Sequence, residues 1–127
     1  MNLLLDTHAL IWLGENSPKL SETARLAIES AANTKYISVA TFWEISIKFS
    51  LGKLQLTKSL AEIIQEIEAS EAVVLMILPT HTLHLQTLPF LHRDLFDRML
   101  VAQAMVEDFT LVSKEELFDG YGVKRVW

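Results

Sequence analysis

Five acids carry the chemistry that this sequence can offer. Asp94 and Asp97 stand three residues apart at the head of a helical apolar run, Met99, Leu100, Ala102, Ala104, Met105 and Val106. Residues three apart share a helix face, so the two carboxylates lie together at its first turn. Asp6 ends the apolar run Asn2–Leu5, Glu44 follows Lys35–Val39 by one helical turn, and Glu115 follows Phe109–Val112. Each has a plain structural explanation. Asp94 and Asp6 suit helix N-caps, Asp97 suits a helix N-terminus, and Thr41 with Glu44 matches a capping box. Ser113 with Glu116 is another such box, which leaves Glu115 free.

Together the five imply more than capping. Desolvated carboxylates at one edge oppose each other's ionisation. A hard divalent cation resolves that conflict, and Mg²⁺ and Mn²⁺ prefer carboxylate and water oxygens. An ion held by carboxylates is a recurrent device for phosphodiester hydrolysis. Asp6, Glu44, Asp94, Asp97 and Glu115 are therefore the expected ligands. Arg93, Arg98 and Lys114 are the bases placed to meet phosphate, although Arg98 could equally pair with Asp94 and its acidic neighbours.

The elements that must position these acids alternate. Short apolar runs at Asn2–Leu5, Lys35–Val39, Val73–Leu78 and Phe109–Val112 read as strands, with Val123–Trp127 as a terminal one. Helical patterns separate them. One runs from Thr7 to Gly14, a second opens at the cap Ser21, and a third stops at Gly52. Others start at Ser59, at Thr80 and at Arg98. The order β-α-α-β-α-α-β-α-α-β-α-β predicts an α/β domain with a parallel sheet between helices. Val73–Leu78 lacks alternation, which predicts burial on both faces. His81 and His84 are three apart but have no third ligand nearby in sequence. In such folds chemistry gathers at the carboxyl ends of the strands, where these acids stand.

Composition sets bounds. The chain has 127 residues, half of them hydrophobic, which suits one domain, 1–127. It has no cysteine, so it has no disulfide and no thiolate ligand or nucleophile. A formal net charge of −5 argues against holding nucleic acid by bulk positive charge. It leaves room for an enzyme with local bases. No apolar run is long enough to span a bilayer, and Met1–Asp6 lacks the basic start of a signal peptide, so a cytoplasmic location is expected.

These motifs resemble the PIN-domain family, specifically the VapC-type ribonuclease toxins. The resemblance rests on Leu4-Leu5-Asp6-Thr7-His8, Ser38-Val39-Ala40 with Trp43-Glu44-Ile45 and Lys48, Leu51-Gly52-Lys53-Leu54, His92-Arg93-Asp94-Leu95-Phe96-Asp97-Arg98, and Val112-Ser113-Lys114-Glu115. It covers nearly the whole chain. It implies a three-layer α/β/α fold with a short parallel sheet. It implies Mg²⁺- or Mn²⁺-dependent cleavage of RNA by metal-activated water, leaving a 5′-phosphate and a 3′-hydroxyl. Asp6, Glu44, Asp97 and Glu115 become the catalytic acids, with Asp94 beside them as a further metal ligand. Thr7 and Ser113 supply hydroxyls on the substrate side, together with Arg93, Arg98 and Lys114. The resemblance also implies a homodimer and a small antitoxin partner.

One position departs from the family pattern. Glu115 stands where a Thr-x-Asp segment has its Asp, one methylene longer, which puts occupancy by a second ion in question. Rival readings fare less well. A haloacid-dehalogenase-like phosphatase needs an acid two residues after Asp6, where His8 stands. A phospho-receiver domain needs an Asp after a central strand, where Leu78-Pro79-Thr80 supplies none. A catalytically weak PIN-like module that binds RNA or a partner is the remaining alternative. Trp43 is expected to be largely buried.

Overall fold

The computed structural model describes residues 1–127. Five strands form one sheet: β1 (Asn2–Leu5), β2 (Thr34–Ser38), β3 (Val73–Leu75), β4 (Thr110–Val112) and β5 (Arg125–Val126). All neighbours are parallel, in the order β3-β2-β1-β4-β5. β1 sits at the centre, with Leu3, Leu4 and Leu5 buried on both faces.

Side chains alternate across a strand, so Leu3 and Leu5 serve one face and Leu4 the other. Leu3 and Leu5 pack with Ala9, Leu10, Ala24, Ile28 and Ile67. Those residues come from α1 (Thr7–Gly14), α2 (Glu22–Glu29) and α4 (Leu60–Ala69). Leu4 packs with Leu88, Leu100, Val101, Ala104 and Phe118. That layer consists of α5 (Pro79–Leu85), α6 (Leu95–Glu107) and a 3₁₀ turn, Glu116–Tyr121. The remaining helix, α3 (Val39–Ser50), gives Ala40 to the second core and Ile45 to the first. The result is the expected three-layer α/β/α sandwich.

Caps fix most helix starts. Ser21 Oγ accepts from Ala24 N, and Ser59 Oγ from Glu62 N. α3 ends at Gly52, whose φ of +70° is the left-handed geometry that glycine adopts freely. Several expectations needed correction. β2 runs into α3 without a loop, and the cap is Ser38, whose Oγ accepts from Ala40 N at 3.0 Å. Thr41 is therefore inside the helix and forms no box with Glu44. α5 is preceded by Leu78, not capped by Thr80, and Pro79 occupies its first position. β3 ends at Leu75 and is an edge strand, with Val73 and Leu78 exposed rather than buried on both faces. α6 begins at Leu95, one turn earlier than Arg98.

His81 has a structural post. Its Nδ1 accepts from Leu78 N at 2.9 Å, and its Nε2 meets Glu107 at 2.9 Å, which ties α5 to α6. No helix is long and apolar enough to cross a membrane.

Candidate active site

Strand order reverses at β1, which has β2 on one side and β4 on the other. Open α/β sheets bind their ligands outside the carboxyl ends of the strands at such a switch point. A cleft of about 270 Å³ opens there, lined by Asp6, Thr7, His8, Trp12, Glu44, Lys48, Asp94, Asp97, Lys114 and Glu115. All five acids singled out in the sequence face it.

Asp6 leaves β1 and caps α1, its Oδ1 accepting from Ala9 N at 2.8 Å. Burial pushes its carboxyl above the ordinary value. Hydrogen bonds from Ser113 and Ala9 and the nearby His8 oppose that shift, and Glu44 adds to it. Glu44 is buried on α3, six residues beyond the end of β2. The Thr7 hydroxyl donates to its Oε1, and Lys48 Nζ donates to its Oε2. Asp94 caps α6, accepting from Asp97 N at 2.9 Å.

Asp97 carries the strongest perturbation. Burial first, then Asp94, Glu44 and Asp6, raise its pKa to about 8, against the relief that Lys48 gives. His92 Nε2 lies 2.8 Å from Asp97 Oδ2, but the ring N–H is not aligned for a hydrogen bond, so the contact is one of proximity. Lys48 is itself held charged. Burial opposes its charge, but Glu44, Asp94 and Asp97 outweigh that and raise its pKa.

Ser113 is fully buried behind Asp6 and its Oγ accepts from Glu115 N at 3.0 Å. Glu115 is not free, as the sequence had suggested. Its Oε1 accepts from Leu117 N at 3.0 Å and caps the 3₁₀ turn, in place of a Ser113–Glu116 box.

The expected bases divide. Lys114 is exposed and lines the cleft. Arg93 is exposed but lies outside the cleft lining. Arg98 is a correction. It is buried, and its guanidinium donates to Pro89 O at 2.8 Å and to Tyr121 Oη at 3.3 Å, so it pins the loop before α6 and is withdrawn from any phosphate. It pairs with none of the acids. Trp43 is also a correction: it is 57% exposed, edge-on to Phe96 with ring centroids 5.1 Å apart.

Lys48 was a motif residue in the sequence, not a site residue. The signal was there, since it stands four residues after Glu44 and so shares its helix face. Trp12, four residues after His8 on the same helix, was passed over as a site residue in the same way.

The donor set suits a hard cation. It offers five carboxylates, with His8 beside them, and burial together with like charge raises the pKa of one of them, Asp97, to about 8. In this arrangement no three His, Asp or Glu side chains come together closely enough to hold one ion. Thr7 and Lys48 hold Glu44, and the Leu117 amide holds Glu115.

A scan against family models matches the PIN domain over residues 3–124. The chain belongs to the PIN-domain family. No curated protein matches it in sequence. Among solved structures, this PIN domain is similar to VapBC2 from Rickettsia felis, bound to a DNA fragment from their promoter. The TM-score is 0.73 at 17% identity, covering 98% of this chain and 97% of that one. It is also similar to VapBC-1 from nontypeable Haemophilus influenzae, with a TM-score of 0.64, 20% identity, and coverage of 98% and 96%. FitAcB from Neisseria gonorrhoeae follows at 0.60 and 17%, covering 97% and 95%. At these identities the likeness is one of fold.

Proposed function

We propose that this PIN domain is a divalent-metal-dependent endoribonuclease of the VapC type, acting as the toxin of a toxin–antitoxin pair. The observation that carries the reading is the meeting of Asp6, Glu44, Asp94, Asp97 and Glu115 in one cleft, with Asp97 raised to about 8 by burial and like charge. Strongly perturbed acids in a cleft mark functional sites. PIN domains are generally nucleases, which supports the same reading.

Asp6, Glu44, Asp94, Asp97 and Glu115 would hold Mg²⁺ or Mn²⁺. Bound there, the ion supplies charge neutralisation and a lowered water pKa for phosphodiester hydrolysis. The chain's own groups do the rest. The Thr7 hydroxyl orients Glu44, and the Ser113 hydroxyl orients Asp6. Lys114 presents its ammonium to a backbone phosphate at the open side. Arg98 secures the loop that leads into Asp94 and Asp97.

The partners follow from the same family reading. Two of the similar structures are VapBC complexes, which supports an antitoxin for this chain. An apolar groove of about 420 Å³, lined by Leu10, Ile28 and Ile63 and rimmed by both acids and the lysines Lys35 and Lys58, suits an apolar segment. The cytoplasm is the compartment such a toxin works in.

A second reading, a PIN module that binds RNA or a partner without cutting, draws support from Glu115 being engaged as a cap. Cleavage separates the two. Purified protein should cut single-stranded RNA with Mg²⁺ or Mn²⁺ and stop with EDTA, and Asp97→Asn should remove the activity while keeping the fold. RNA left intact by the wild type with either metal would favour the binding module. Undiminished cutting by Asp97→Asn would sink the site assignment.

A further inference from the structure

The acids occupy one wall of the cleft, and aromatic rings form another. His8 and Trp12 both line it, one turn apart on α1. Their rings stack, with centroids 5.2 Å apart and planes 27° from parallel. Trp12 is backed in turn by Trp127, whose ring centroid lies 5.8 Å away. His8 is exposed, Trp12 and Trp127 half-buried, so the stack rises from the protein body and ends in an open imidazole.

Trp12 and Trp127 pack against the core and anchor the stack, but His8 at its open end is exposed, and the buried side of α1 is made by Thr7, Ala9, Leu10 and Ile11. The stack adjoins Asp6 and faces a cleft that also carries the exposed Lys114. A ring platform beside a cation and a phosphate-handling centre is how proteins take unpaired nucleotides: the bases stack and the cations follow the backbone.

We propose that the His8–Trp12 stack is a base-stacking subsite of the cleft. It takes one unpaired base of a single-stranded RNA next to the phosphate at the acids, with Lys114 on the adjoining backbone. This rests on the nuclease reading. The occupant is a single strand, because a base inside a duplex is stacked on both faces by its neighbours and has none to offer the imidazole. Every base has a π-face, so the subsite selects strandedness more than sequence.

The test uses the Asp97→Asn protein, which keeps the RNA whole, and a short fluorescein-labelled single-stranded RNA read by anisotropy with Mn²⁺ present. A stacked base contributes roughly 1–3 kcal/mol, so adding His8→Ala should weaken binding by about fivefold to a hundredfold. His8→Phe should restore it, because a phenyl ring stacks without hydrogen bonding. In the cutting enzyme, His8→Ala should raise KM. A duplex of the same sequence should bind weakly to all forms. Equal binding by the Asp97→Asn protein with and without His8→Ala overturns the platform and leaves the nuclease reading standing. His8→Phe as weak as His8→Ala overturns stacking as the cause. A wild type that neither binds nor cuts RNA removes the nuclease reading, and the subsite with it.

Discussion

Asp97 shows how one residue's surroundings set both stability and activity. Its folded pKa of about 8 stands well above the unfolded carboxylate value. The native state therefore keeps a proton that the unfolded chain releases. That contribution to stability is fully present below about pH 4 and is lost as pH rises through about 8. Across that window the loss is on the order of a few kcal/mol. In EDTA, the wild type should melt several degrees lower at about pH 8 than at about pH 5. Asp97→Asn should show a flatter profile and melt above the wild type at the alkaline end. A wild-type profile as flat as the mutant's would mean that Asp97 is an ordinary exposed acid. Glu115 makes a different prediction. Losing its cap on Leu117 N should cost about 1 kcal/mol in Glu115→Ala. If it also ligates metal, Glu115→Asp should lower the Mn²⁺ concentration that gives half-maximal cutting, because the shorter arm restores the family's usual acid. An unchanged metal requirement in Glu115→Ala would show that the position is a cap and nothing else.

Helix starts, more than strands, place the chemistry. Asp6 caps α1, Asp94 caps α6, and Glu44 stands on α3 because Ser38 lets the chain turn directly from β2 into the helix. Ser38→Ala removes a fully buried oxygen that satisfies Ala40 N. It should cost about 1–2 kcal/mol and lower Tm by several degrees. Activity should fall beyond the effect of stability alone, as the start of the Glu44 helix loosens. A melt and rate unchanged by the substitution would return the cap to Thr41. Asp94 was legible as a cap, because it directly precedes a helical apolar period. Glu44 was legible as an acid in the right place but not in its bonds, since Ser38 and Thr41 are both good caps and only the length of β2 decides between them. Val73–Leu78 read as buried on composition, yet β3 lies at the sheet edge, and strand order is a long-range property that no local run encodes. Arg98 was read for its charge. The carbonyls of Leu88 and Pro89 that claim it come from a neighbouring loop whose path the sequence does not specify.

At the scale of the molecule, the five acids come from four separate stretches of chain, and the β1–β4 switch point brings them to one edge. The same topology leaves Trp43, Phe49, Leu51 and Leu95 exposed. We propose that Trp43, exposed on α3 against Phe96, lies in the homodimer interface that the family resemblance implies. Light scattering at micromolar concentration should give twice the chain mass, and Trp43→Glu should give a monomer. A wild-type monomer would count against it. The central claim is that the acids form one metal site, and Mn²⁺ binding tests it most directly. Calorimetric titration of the wild type near pH 7 should show saturable binding with release of about one proton, the one that Asp97 holds below its pKa of about 8. Asp97→Asn should bind at least about tenfold more weakly and release no such proton. Equal binding by both proteins, or none by the wild type, would contradict the account, leaving the acids as separate helix caps that happen to share a cleft.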